Sequence, residues 1–255
     1  MIKPTRFLSI AAVALLSACG SDSGTGPTAT APVNLATAFS EMSIPGLATA
    51  ASLAGGVSTP TTSNLPAGCT YVAVSQNFVC PAVATSGLTV TSNYFLLDAA
   101  GHSMSAFDAN TVAALRVRNT IAGTLSVSGD SYAIEGQQDQ TLTGLQSSTH
   151  TLNGTSTLNM SGTRTGATLP GPFTTHSTTT ISSLVLPANL STSRYPASGT
   201  VAIDQTTSLA GGSSISSRLV MTFNGTSKVA VTLKVDNLSL PGCTVDLSNG
   251  TTTCG

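Results

Sequence analysis

Charge is what this chain carries least of. Only 7% of its 255 residues are Asp, Glu, Lys or Arg, against roughly 25% in ordinary soluble domains. Lys and Arg number 9 and Asp and Glu 10, for a formal charge of −1. No basic stripe exists to follow a phosphate backbone, and no polybasic run lies ready for anionic lipid. Nucleic acid is therefore not an expected partner. Tryptophan is absent and aromatic residues make up 4%, so the exposed indole platforms that commonly hold sugars are missing. Tyr71, Tyr94, Tyr132 and Tyr195 are scattered among core-like positions.

The inventory for catalysis is equally thin. His102, His150 and His176 lie far apart, each in a Ser/Thr-rich stretch. No HExxH pair and no Gly-x-Ser-x-Gly elbow occurs. Asp98, Asp108, Asp130, Asp236 and Asp246 stand where turns want them, and their spacing argues no acid/base pair. Glu135 falls on an expected strand, facing solvent. Arg116 and Arg118 share a strand face, which suits a solvated edge or cross-strand partners better than an anion site. No catalytic residue, metal ligand or cofactor is expected.

Long apolar runs are also missing. The longest at the N-terminus, residues 7–16, is about half of the roughly 20 residues a membrane-spanning helix needs. It follows Lys3 and Arg6 and leads into Leu16-Ser17-Ala18-Cys19-Gly20. Basic start, apolar middle, small residues and cysteine in this order resemble the lipobox of bacterial lipoproteins. The resemblance implies a signal peptide over residues 1–18, cut by the lipoprotein signal peptidase (the type II enzyme). It further implies acylation of Cys19 and a membrane anchor through that residue. Each buried methylene contributes about 0.8 kcal/mol, and two or more acyl chains hold stably where one does not. In that family an aspartate after the cysteine favours the inner membrane. Here Gly20 follows, which points to the outer membrane.

In place of charge the chain has serine, threonine and glycine, as exported β proteins do. Residues 19–33 are small, polar and proline-bearing, and are expected to form a flexible tether. Leu35, Phe39 and Met42 then recur at helical spacing, predicting a short helical segment over 34–54 that lies against the rest of the fold. Residues 55–68 again resemble a linker. From Cys69 to Gly255 the period switches to two. Leu88, Val90, Tyr94 and Leu96 alternate with polar residues, and Asp98-Ala99-Ala100-Gly101 reads as a turn. Over 111–127, Ala113, Leu115, Val117, Ile121 and Leu125 take one side and Val112, Ala114, Arg116 and Arg118 the other. Gly123 marks a bulge or bend.

Tyr132 to Ile134 form a strand that Gly136 is expected to end. Further strands are predicted near 140–145, 150–152, 155–160, 173–186, 199–204, 214–223 and 229–235, with a hairpin at the C-terminus. Asn153-Gly154 and Asn224-Gly225 are read as two-residue hairpin turns. The predicted fold of residues 69–255 is an all-β domain, an antiparallel many-stranded sheet that is curved, barrel-like or sandwich-like, with the short helix ahead of it.

The remaining cysteines come in two equally spaced pairs. Cys69 and Cys80 enclose ten residues, as do Cys243 and Cys254. Metal sites usually show closer Cys-x₂₋₄-Cys spacing, and no Cys-x-x-Cys redox pair occurs. Export favours disulfides. Of the three connectivities open to four cysteines, equal spacing favours local bridges Cys69–Cys80 and Cys243–Cys254, each across its own hairpin. Beyond the lipobox, the body resembles Thr-rich β lipoproteins of bacterial envelopes. The expectation is an outer-membrane-anchored structural or interaction lipoprotein without catalytic activity. The other expectation kept open is a periplasmic binder of an apolar ligand within a curved β-sheet.

Overall fold

A computed structural model describes residues 65, 68–85, 87–127, 130–164, 171–187, 195–248 and 251–254. The predicted signal peptide with Cys19, the tether and the helical segment 34–54 lie outside the described residues. Within them the chain is one 15-stranded antiparallel sheet. The strands are β1 (Thr70–Val72), β2 (Asn77–Val79), β3 (Val83–Thr85), β4 (Leu88–Leu97) and β5 (Ser103–Met104). Then follow β6 (Ala114–Val127), β7 (Asp130–Thr143), β8 (Thr149–Arg164), β9 (Gly171–Pro187) and β10 (Ser198–Leu209). The last are β11 (Ser214–Phe223), β12 (Lys228–Val235), β13 (Leu238–Ser239), β14 (Cys243–Asp246) and β15 (Thr251–Cys254).

From β6 to β12 every strand pairs with its neighbour in sequence, so the middle of the sheet is a simple meander. β3 and β5 pair with β4, and β13 with β12. β1 and β15 end the path and do not pair with each other, so the sheet is open. The expected antiparallel all-β fold is borne out.

Period-two alternation gives this sheet one apolar face. In β7, Tyr132 and Ile134 are buried while Ser131, Ala133 and Glu135 are exposed. Register carries the same face across the sheet: Leu88 stands opposite Gly123, Gly123 opposite Ile134, and Ile134 opposite Met160. Leu88, Ile134, Met160 and Phe173 belong to one buried cluster. A second, including Tyr94, Leu96, Leu115 and Val117, fills the side near β2 and β4, where Leu65 of the predicted linker also packs. A third, including Val201, Val231 and Val245, fills the side from β9 to β14. No second sheet covers this face among the described residues. Side chains such as Ile134 and Val245, both 1% exposed, each contribute roughly 1.5–3 kcal/mol by leaving water.

Three expectations change. Gly136 does not end a strand but sits mid-way in β7, and residues 140–143 belong to that same strand. A Cβ at Gly136 would stand 2.8 Å from Ile121 Cγ2 and 3.0 Å from Leu158 Cδ1, so glycine there lets its neighbours close over the strand. Asn153-Gly154 is not a hairpin turn, because β8 runs unbroken from Thr149 to Arg164. The pair lies at a register shift between Leu152 and Gly154, where β9 carries the extra residue and Ser183 takes φ 49°; on the β7 side, a Cβ at Gly154 would fall 2.5 Å from the Asp139 carbonyl oxygen. Asn224-Gly225, by contrast, does lie between β11 and β12, but in a four-residue connection, 224–227, and not a two-residue turn. Val112, placed by strict alternation on the side of Arg116 and Arg118, is 1% exposed. It precedes β6, in a turn where its N–H bonds the Asp108 carbonyl at 2.9 Å, so alternation does not apply to it. Ala114, placed on the same side, is also buried, at the start of β6 directly after that turn. Gly123 keeps its place in the ladder between Leu88 and Ile134 and takes φ 147°.

Candidate functional site

The two cysteine pairs close as expected. Cys69 is bridged to Cys80 and Cys243 to Cys254, with Cα atoms 4.0 and 4.1 Å apart. Cys243 and Cys254 stand directly opposite each other on β14 and β15. The first bridge ties the ends of the β1–β2 hairpin. The disulfides therefore clamp the hairpins at the two ends of the strand path.

The outward face is polar, and Arg116, Arg118 and Arg218 on it are paired with aspartates. Arg118 stands opposite Asp139, with Arg116 one step along the same face. Arg116 grips Asp139 with two hydrogen bonds, Nε to Oδ1 at 2.7 Å and Nη2 to Oδ2 at 2.6 Å. Arg118 adds Nε to Oδ2 at 2.9 Å. Both guanidinium groups lie over the Phe95 ring, 5.9 and 5.3 Å from its centroid. The cross-strand reading of the two arginines is the one the geometry carries. Arg116, then Arg118, holds the Asp139 carboxyl below its ordinary value, against an opposing push from burial. Asp139 in turn raises the Arg116 guanidinium.

A carboxylate with a lowered pKa stabilises the fold above its ordinary value of 3.8 and loses that contribution as pH falls through the lowered one. Asp139→Asn is thus expected to lower the thermal midpoint modestly at pH 7, because the cluster is partly solvated. The gap from wild type should close as pH drops below 3.8. Melting curves at several pH values check this; a gap that persists in acid would exclude the ion pair as its cause.

The turn aspartates act as read. Asp98 accepts the N–H groups of Ala100 and His102 at 2.9 and 2.8 Å, Asp108 that of Asn110, and Asp246 that of Ser248. These bonds lower all three carboxyls: the His102 N–H leads for Asp98, the Asn110 N–H for Asp108 and the Ser248 hydroxyl for Asp246. Glu135 faces solvent. The histidines stay apart. His102 pairs with Asp98 at 3.2 Å, and His150 bonds the Gly144 carbonyl at 2.9 Å. His176 Nδ1 meets Asn159 Oδ1 at 2.7 Å and its Nε2 meets the Thr178 hydroxyl at 3.4 Å. That hydroxyl–imidazole–amide chain lies on an exposed strand face with nothing to enclose a substrate. Among the described residues, no group of three His, Cys, Asp or Glu side chains is placed to hold a metal ion. A shallow depression of about 520 Å³ on the outward side is lined by small groups such as Thr124, Ser131, Ala133 and Ser161.

The inward face holds what the sequence reading missed. Ser92, Asn119, Gln138 and Ser156 stand opposite one another on β4, β6, β7 and β8. Ser177, Gln205 and Ser217 continue the line on β9, β10 and β11, displaced by one inward position. The result is an uncharged hydrogen-bonding band running across seven strands, between the apolar clusters. Its β6–β7 end is deep, with Asn119 5% and Gln138 4% exposed; its β8–β11 end is half-buried. Asn119 Nδ2 donates to Gln138 Oε1 at 2.9 Å, while Asn119 Oδ1 is buried without a partner. Thr175 and Thr207, also buried, bond each other at 3.0 Å, and Gln205 Nε2 reaches Thr207 Oγ1 at 3.3 Å. The signal was present in β6, where Val117 and Ile121 flank a polar Asn119 at a position of core parity.

Compared with protein-family models, curated proteins and solved structures, the chain gives no match. What it does must therefore be argued from its own residues.

Proposed function

We propose that this chain is a lipid-anchored protein of the bacterial outer membrane, held through Cys19, whose sheet serves as a structural or interaction module without catalytic activity. The observation that carries the proposal is Leu16-Ser17-Ala18-Cys19 ahead of an exported-type β domain. The two disulfides support it, since such bridges persist in oxidising compartments. So does the outward face, where charges are few, three arginines are bonded to aspartates and threonine is frequent, a surface suited to lasting contact more than to steering a charged ligand.

Lys228 and Lys234 lie exposed on β12 and provide chemical handles. Amine-reactive crosslinking of intact cells, followed by recovery of the protein from outer-membrane fractions, should yield a defined adduct with another envelope protein through one of these lysines. Recovery of the protein only as an uncrosslinked species, with an apolar molecule in its lipid extract, would overturn the scaffold role.

A second role is favoured by a specific observation. Leu152, Ile181, Leu186, Ile203, Leu219 and Phe223 pack against the third apolar cluster yet remain only partly buried. Half-covered apolar side chains gathered on one sheet face suit a binder of an apolar ligand.

A further inference from the structure

The uncharged band is continuous with those half-buried aliphatic side chains. Gln205 and Ser217 face each other on β10 and β11, and the next inward pair on the same two strands is Ile203 and Leu219. Ile181 of β9 lies one inward position beyond Thr179. Thr179, Ile181, Ile203, Gln205, Ser217 and Leu219 are all half-buried, within reach of a ligand. None of the band residues, and none of the inward residues next to them, carries a formal charge. The nearest cations along these strands, such as Arg118 and Arg218, belong to the outward face and bond Asp139 and Asp204 there.

We propose that this band is the head-group subsite for a neutral amphiphile, of the monoacylglycerol type, whose acyl chain lies on Ile181, Ile203 and Leu219. The proposal rests on the apolar-binder reading and names its ligand class. Amide and hydroxyl side chains both donate and accept, matching a head built of hydroxyl and ester groups. A carboxylate or phosphate head would enter a low-dielectric face with no cation to pair it, which is strongly unfavourable.

The test uses the full chain in nanodiscs with two photoactivatable probes of equal chain length, a diazirine monoacylglycerol and a diazirine fatty acid at neutral pH. Labelled peptides are mapped by mass spectrometry. The monoacylglycerol probe should label peptides carrying Ile203 or Leu219, be displaced by excess unlabelled monoolein, and exceed the fatty acid by tenfold or more. Gln205→Leu combined with Ser217→Ala should reduce that labelling about tenfold, the loss expected of two neutral hydrogen bonds, with the thermal midpoint held. Equal labelling by both probes, or labelling untouched by the substitutions in a folded variant, would overturn the head-group subsite while leaving an apolar binder standing. No labelling of inward-face peptides by either probe would overturn both. Should the double variant fail to fold, the ratio between the two probes and the monoolein competition on the unaltered chain decide the question.

Discussion

Replacing Cys19 by alanine should leave the protein as an unacylated precursor. In a lipobox the cysteine is the acceptor of the diacylglyceryl group, and the type II peptidase cuts only after that transfer. With alanine there is no thiol to acylate, so residues 1–18 stay attached and the acyl mass disappears. The physical effect is large because the anchor is nearly all hydrocarbon. At about 0.8 kcal/mol per buried methylene, two or more chains outweigh anything the polar outward face could contribute to membrane affinity. Intact-mass spectrometry of the protein and its variant measures both changes at once. Acyl chains still present on Cys19→Ala would show that the resemblance of Leu16-Ser17-Ala18-Cys19 to a lipobox misleads, and the proposed location would fall with it.

Much of the fold was legible because one rule, alternation, governs long strands that bury one face. β4, β11 and β12 stand nearly where the pattern places them, and both cysteine pairs close the hairpins their equal spacing suggests. The misreadings share a cause. Gly136 and Asn153-Gly154 look like breaks locally, yet each is used for close approach inside a strand. Their neighbours' side chains and backbone occupy the space a Cβ would take, and that depends on register, which no single segment contains. The inward band was missed for a similar reason. Asn119, Gln138 and Gln205 are individually unremarkable polar residues in polar strands. Only the pairing of β6 with β7 and of β10 with β11 puts them on the apolar side and in one line.

Removing either disulfide should lower stability by about 3 kcal/mol at most, each bridge closing a loop of about a dozen residues. For a domain of this size that corresponds to a thermal midpoint lower by roughly 6–12 °C. The C-terminal bridge is expected to matter more. Among the described residues β15 pairs only with β14, and both are four residues long, a length that does not stand as a hairpin in water. Val245 of β14 lies opposite Val229, and both are 1% exposed. If the hairpin frays, Val229 loses its cover and residues 228–231 of β12 become an unpaired edge, which invites association with another chain. At the other end, Phe78 of β2 is anchored independently by its contacts with Tyr71, 5.2 Å between ring centroids, and by its place in the cluster around Tyr94 and Leu96. Cys243→Ala/Cys254→Ala should therefore melt lower than Cys69→Ala/Cys80→Ala and aggregate on heating. Because the clamps lie at opposite ends of the strand path, the quadruple variant should show the sum of the two losses to within about 0.5 kcal/mol. Urea unfolding of the four proteins, followed by circular dichroism, provides the cycle. An N-terminal pair that costs more, or a quadruple variant far from the sum, would mean that the two ends of the sheet meet and support each other.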